Sequence, residues 1–152
     1  MDWNTFFFKM CDLVSEKSKD KSTQVGCVIV GPNHEIRSIG YNGFPRGVTD
    51  DVPVRQERPM KYFYSEHGER NAIYNAARVG IPLAGCILYI GGVPCADCAR
   101  AIIQSGIAEI FIRDGRVPER WKDSCDAALV MLDEAGVQCH IVGMEGKGYG
   151  SE

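Results

Sequence analysis

The sequence predicts an α/β fold, a three-layer sandwich in which a five-stranded mixed sheet carries helices on both faces. Three observations point there. Short apolar runs bounded by glycine, proline or asparagine alternate with longer stretches whose apolar residues recur at helical spacing. Two of the runs are joined by a short link containing Pro32-Asn33, the signature of a hairpin. The remaining runs are each separated by a helical stretch, giving the order αββαβαβαβ.

Taken in order, Phe6, Phe7, Met10, Leu13 and Val14 place an amphipathic helix between Trp3 and about Ser18, followed by a polar, basic loop from Glu16 to Thr23. Val25-Gly26-Cys27-Val28-Ile29-Val30 reads as a buried strand stopped by Gly31-Pro32-Asn33, and Ile36 to Tyr41 is its hairpin partner. Residues 42–61 carry three prolines, two glycines and several charges, a long irregular loop of the kind that usually has a function. A helix is expected over 65–78, with Ser65 as N-cap, an Ala72, Ile73, Ala76, Ala77 stripe and Gly80 as its stop. A strand follows over 86–90, then a helix opened by Pro94 and ended by Gly106, and a strand over 107–113. A helix over 119–134 capped at Gly136 and a last strand over 137–142 complete the sheet. Residues 143–152 are expected to be a flexible tail on a single domain spanning 1–152.

Composition narrows the function. Hydrophobic residues at 45% and charged residues at 24% are those of a soluble globular chain, and no apolar run approaches the ~20 residues of a membrane span. Phe6-Phe7-Phe8 lacks the basic flank of a signal peptide, so the expected location is the cytoplasm, or the host cytoplasm for a viral chain. A net charge of −3 argues against a nucleic-acid binder, although a small anionic substrate needs only a few local cations. Seven cysteines, an odd number, argue against a disulfide framework; Cys11, Cys27, Cys86, Cys125 and Cys139 read as small buried hydrophobes.

The remaining two cysteines carry the chemistry. His67-Gly68-Glu69 is followed by Pro94-Cys95-Ala96-Asp97-Cys98, whose first cysteine stands 28 residues after the histidine. His67, Cys95 and Cys98 offer three soft ligands for Zn²⁺, which leaves a fourth tetrahedral position open and separates a catalytic site from a closed structural one. Water held there is acidified to a pKa of about 7. Cys95 and Cys98, three apart at a helix start, point to one side, and the helix dipole favours their thiolates. Glu69 is free to take a proton from that water and pass it to a substrate and its leaving group. Two residues along a regular helix separate Glu69 from His67 by about 200°, so its reach requires an irregular helix start. H-x-E followed by P-C-x-x-C is the signature of zinc-dependent nucleobase deaminases. A redox C-x-x-C or half of a zinc ribbon is the competing reading, but the chain has no second C-x-x-C pair. His34, in the hairpin turn, and His140, in the last strand, read as structural.

With Ser22-Thr23-Gln24-Val25-Gly26, Gly40-Tyr41-Asn42-Gly43-Phe44-Pro45-Arg46-Gly47, His67 to Ile73 and Pro94 to Ala99 in this order, the chain resembles the deoxycytidylate (dCMP) deaminase family, within the zinc cytidine deaminase superfamily, over residues 3–142. The resemblance implies a cytidine-deaminase-like sandwich and hydrolysis of dCMP to dUMP and ammonia, supplying thymidylate synthesis. It also implies a homohexamer activated by dCTP and inhibited by dTTP, with Mg²⁺ accompanying the triphosphate. By motif position Asn42 contacts the sugar and the Gly68 N–H the pyrimidine O2; the family usually has alanine where Gly68 stands. Lys19, Lys21, Ser22, Thr23 and Arg46 are candidates to bind phosphate. Arg113, Arg116, Arg120 and Trp121 follow the fourth strand, and one of them is expected to close over the nucleotide. The alternatives are a deaminase that accepts dCTP as well as dCMP, a tRNA-adenosine type of base deaminase, and a non-catalytic module with a structural zinc.

Overall fold

The computed structural model describes residues 1–146. Helix α1 (Trp3–Ser15) starts at Asp2, whose carboxylate accepts the Thr5 N–H at 2.8 Å, and buries Phe7, Phe8, Cys11 and Val14. Strands β1 (Gly26–Val30) and β2 (Ile36–Tyr41) form the expected hairpin, with a register shift at Ile29/Val30. Then come a short helix α2 (Lys61–Tyr64), helix α3 (Gly68–Val79), β3 (Ile87–Ile90), α4 (Ala96–Gln104), β4 (Glu109–Ile112), α5 (Lys122–Glu134) and β5 (Gln138–Ile141).

Among the described residues these strands form one mixed sheet in the order β2-β1-β3-β4-β5, with β1 antiparallel to both neighbours and β3, β4 and β5 parallel. The two-residue period of the strands divides the core. Val28, Val30 and Tyr89 face α1 together with Phe7 and Phe8. Cys27, Ile29, Leu88, Ile90, Ile110 and Ile112 face the opposite layer, built from Ala72 and Ala76 of α3, Ala99 and Ile102 of α4, and Ala128 and Leu132 of α5. The central strands β1 and β3 are therefore covered on two sides, which is why their runs are almost continuously apolar, whereas the edge strands β2 and β5 are largely exposed.

The structure corrects three expectations. The helix expected from Ser65 is split: Ser65 ends α2, residues 65–67 are extended, and α3 begins at Gly68. The cause is a two-way backbone bridge, Gly43 N–H to Glu66 O at 3.0 Å and Glu66 N–H to Gly43 O at 2.8 Å, which holds this stretch as a strand-like pair. The helix after Pro94 starts at Ala96, with Cys95 as its extended N-cap. Arg113, expected at a substrate mouth, is 2% exposed. Its guanidinium donates to Asp12 Oδ1 at 2.7 Å and to the Phe8 carbonyl at 2.6 Å, and lies 4.9 Å over the Phe8 ring. Phe111 faces α1, and alternation puts Arg113 on the same side, away from α3 and α4. Its role is to pin α1 to the end of β4.

After β5, Gly143 N–H donates to the Arg113 carbonyl at 2.8 Å, and Met144 packs against the α1-side core. Residues 147–152 of the expected tail lie outside the described residues. No helix among the described residues is long and apolar enough to cross a membrane.

Candidate functional site

The start of α3 is seated on β2 by an absence of side chain. A Cβ on Gly40 would lie 2.2 Å from Ala72 N and 2.5 Å from the Gly68 carbonyl, so only glycine lets helix and strand approach this closely. His67 precedes the helix in extended geometry, φ −78° and ψ 156°, and Glu69 follows in the first helical turn. The break between them removes the 200° problem of a continuous helix: His67 projects from an extended residue and Glu69 from a helical one. Cys95 has the same arrangement at α4, with φ −76° and ψ 172°, and Cys98 follows within the first turn. The Ala96 N–H donates to Ser124 Oγ at 2.9 Å, tying this helix start to α5.

These two helix starts meet beyond the carboxyl ends of β2 and β3. His67 Nδ1 lies 3.4 Å from Cys95 Sγ and 3.4 Å from Cys98 Sγ, and all three donor atoms lie within 4.8 Å of one another. Bond lengths of ~2.0 Å to nitrogen and ~2.3 Å to sulfur at tetrahedral angles require N···S separations of about 3.5 Å. The donor set therefore fits one zinc ion, and its three members leave one tetrahedral position for a non-protein ligand. A hydrogen bond from Cys98, with His67 beside it, lowers the Cys95 thiol to about 4 against the effect of burial. Glu69 is 2% exposed, and burial raises its carboxyl above the usual carboxylate range. An acid held back from ionisation beside a metal-ligand cluster is suited to taking up and returning protons.

His67, Gly68, Glu69 and Cys95 line a cavity of about 220 Å³. Part of its lining is apolar. Val93, Val117 and Cys125 contribute to it, and Trp121 stands edge-on to His67 at 5.9 Å between ring centres. The Cys125 thiol donates to the Val93 carbonyl at 3.6 Å, and burial pushes it up to about 11, so it stays a neutral part of the wall.

The rim comes from the loop before β1, from Asn42 after β2 and from Lys61 at the start of α2. Asn42, 7% exposed, accepts the Val25 N–H and donates to the Thr23 carbonyl, both at 2.8 Å. Asp20 accepts the amides of Ser22 and Thr23 and pairs with Lys61 at 2.8 Å, where both side chains are nearly buried. Burial by itself would raise the Asp20 carboxyl; the Lys61 ammonium and the two amides outweigh it and hold that carboxyl below its usual range. A depressed carboxylate contributes stability that is present above its unfolded value of ~3.9 and is lost as pH falls through the lower folded value. Asp20→Asn is expected to lower stability at pH 7 by about 3 kcal/mol, the low end for a broken buried pair. The gap between variant and native chain closes as pH drops below about 4. Urea midpoints at pH 7 and pH 3 check this, and an equal gap at both would refute it.

Of the sequence-expected site residues, His67, Gly68, Glu69, Cys95, Asn42, Thr23 and Trp121 line this cavity, and Cys98 lies beneath it as the third donor. Ser22 does not line it; its hydroxyl is shared between Asp20 and Lys61. Lys19 and Arg46 line a neighbouring cavity of about 310 Å³ and are held by Asp50 and Asn75. The cations that line the first cavity are Arg58, Lys61, Arg70 and Arg116. The sequence reading put Arg58 and Lys61 in an undifferentiated loop and gave Arg70 no role. The long loop over 42–61, already suspect for its length, was the signal available for the first two.

Residues 1–113 match the family model for the cytidine and deoxycytidylate deaminase zinc-binding region. The chain is 40% identical over 138 residues to a deaminase from Aliivibrio fischeri, covering 90% of each chain. It is 37% identical over 142 residues to the deoxycytidylate deaminase of Homo sapiens, covering 90% of this chain and 78% of that one. Among solved structures, it is similar to the dCMP deaminase of the cyanophage S-TIM5 in complex with dCMP and dUMP. That likeness has 26% identity and a TM-score of 0.74, and covers 93% of this chain and 98% of the other.

Proposed function

The chain belongs to the cytidine and deoxycytidylate deaminase family, and from that premise we propose that it hydrolyses dCMP to dUMP and ammonia at the cavity between α3 and α4. The observation that carries this reading is the His67, Cys95, Cys98 donor triad with a buried carboxyl, Glu69, on the same cavity. His67, Cys95 and Cys98 hold the ion. Bound zinc supplies the Lewis acidity that brings a water to a pKa of about 7.

Glu69 accepts the proton of that water and returns it to the pyrimidine N3 as oxygen adds to C4. When C4 is tetrahedral, Glu69 would take the remaining proton of the added hydroxyl and deliver it to the amino group, which leaves as ammonia while the C4 carbonyl forms. Gly68 contributes its N–H, unsatisfied at a helix start, to the pyrimidine O2. Asn42 borders the sugar while its amide holds residues 23–25 in place. Trp121, edge-on to His67, borders the base. Charge-assisted hydrogen bonds to the phosphate come from Arg58, Lys61 and Arg116, which line the cavity, in place of Lys19 and Arg46. Support for a monophosphate comes from the deoxycytidylate deaminase relatives and from the cyanophage enzyme's complex with dCMP and dUMP.

A single domain over 1–152, supply of dUMP to thymidylate synthesis in the cytoplasm, a homohexamer, and dCTP and dTTP control with Mg²⁺ complete the reading; the regulatory and pathway parts rest on the family resemblance alone. The test is steady-state ammonia release from dCMP, dCTP, deoxycytidine and tRNA by the purified zinc-loaded chain. The expected result is a kcat/KM for dCMP at least 10-fold above that for each of the others, since buried polar groups built for one partner penalise its absence. Turnover of dCTP or tRNA at or above the dCMP rate overturns it.

A further inference from the structure

Both helix starts that carry metal donors lack a side-chain cap. His67 and Cys95 occupy the N-cap positions of α3 and α4, and neither side chain accepts a hydrogen bond from its own helix. A serine or aspartate there would fix the first turn, whereas a histidine and a cysteine committed to an ion do not. Other groups must hold the two starts at the spacing the ion requires.

Arg70 is placed to do this. It lines the cavity, its side chain is 15% exposed, and the steps above give it no part. Its Nε donates to the Glu66 carboxylate one helical turn back, and the same Glu66 Oε1 accepts the His67 N–H at 3.3 Å. Its Nη1 lies 3.5 Å from Asp97 Oδ2. Asp97 stands between Cys95 and Cys98 in the first turn of α4 and is also held by Arg100. One guanidinium therefore joins the residue before His67 to the residue between the two cysteines. The planar fork serves two carboxylates from different nitrogens, a geometry that the point charge of lysine does not match.

Charge acts in the same direction. Glu66 and Asp97 bring two carboxylates to a place that gathers two thiolates when the ion is bound, and Arg70 stands between them. The Cys98 thiol is pushed up by its hydrogen bond to Cys95 and by burial, and the Arg70 charge opposes both.

We propose that Arg70 is a positioning residue of the metal centre: by spanning Glu66 and Asp97 it holds the start of α3 against the start of α4 and presets the spacing of His67, Cys95 and Cys98. This rests on the zinc reading above. Partners that orient metal ligands from outside the coordination sphere are worth about 10–100-fold in metal affinity.

The test is the zinc Kd, measured by competition with a chromophoric chelator, beside the thermal midpoint of each zinc-free protein. Arg70→Gln is expected to raise the Kd at least 10-fold, while its zinc-free midpoint moves by less than about 4 °C, the shift of a partly exposed ion pair. Arg70→Lys keeps the charge without the fork and is expected to fall between the two, so a second variant reports if the first fails to fold. In a Glu66→Gln, Asp97→Asn background, adding Arg70→Gln is expected to change the Kd by less than threefold, because nothing remains for the guanidinium to span. A 10-fold change in that background overturns the proposal. So does a Kd within threefold of native in Arg70→Gln with zinc-free and zinc-loaded midpoints falling together, which is the mark of a purely structural residue. Failure of the native chain to bind zinc instead overturns the zinc deaminase reading, and the role of Arg70 with it.

Discussion

Glu69→Gln is expected to abolish turnover of dCMP by a factor of about 10⁴ while leaving zinc content at one ion per chain. The amide keeps the size of the carboxyl and its capacity to accept a hydrogen bond, but it cannot take a proton from water or hand one to N3 and the leaving amine. General acid–base catalysis contributes ~10²–10⁴, and a residue that carries every proton in the cycle belongs at the top of that range. Stability should hold or rise slightly, since Glu69 is 2% exposed and an amide removes the cost of a buried ionisable group. Zinc analysis, a thermal melt and kcat on the same preparation separate the outcomes. Full activity in the variant would remove Glu69 from the mechanism. Loss of zinc together with activity would make it part of the ion's support rather than the proton carrier.

Stripping the metal is the second large effect. Chelation is expected to eliminate measurable deamination and to lower the thermal midpoint by about 10 °C, with both restored by one equivalent of Zn²⁺. The magnitude follows from linkage: a ligand present at ~1,000 times its dissociation constant stabilises the native state by about 4 kcal/mol. A chain of this size shifts by roughly 2–4 °C per kcal/mol. Unfolding should not be complete, because two core clusters on either side of the sheet do not depend on the ion. The three donor atoms lie within 4.8 Å of one another at the junction of α3 and α4, so the loss of order should be concentrated there. Hydrogen exchange localises it. Catalysis by demonstrably zinc-free protein would remove the metal from the reaction.

Other consequences of the geometry were not visible along the chain. Period-two alternation correctly sorts Phe111 and Ile112 to opposite faces, and extending it by one residue would have sent Arg113 to the α1 side. Its position after the strand suggested a mouth residue, but its partner Asp12 lies 101 residues away in sequence. Lys61 and Asp20 present the same difficulty. Each is an ordinary loop charge until the fold buries both at 2.8 Å and turns them into the rim of a cavity. Lys19 has the opposite fate: it stands in the expected basic loop but pairs with Asp50 on the far side of Asn42, over another cavity.

The amino-acid order alone determined the layers, the hairpin and the donor set, because these follow from residue spacing: period two for strands, recurrence every three to four residues for helices, and two short motifs, H-x-E and P-C-x-x-C, for the metal ligands. Only the folded chain decided where α3 begins, since the Gly43–Glu66 bridge that halts the preceding stretch joins residues 23 positions apart. It also decided which cations face the substrate. A charge's role is set by the partner and solvent it meets in space, and for Arg113, Lys61 and Lys19 those neighbours come from remote parts of the chain.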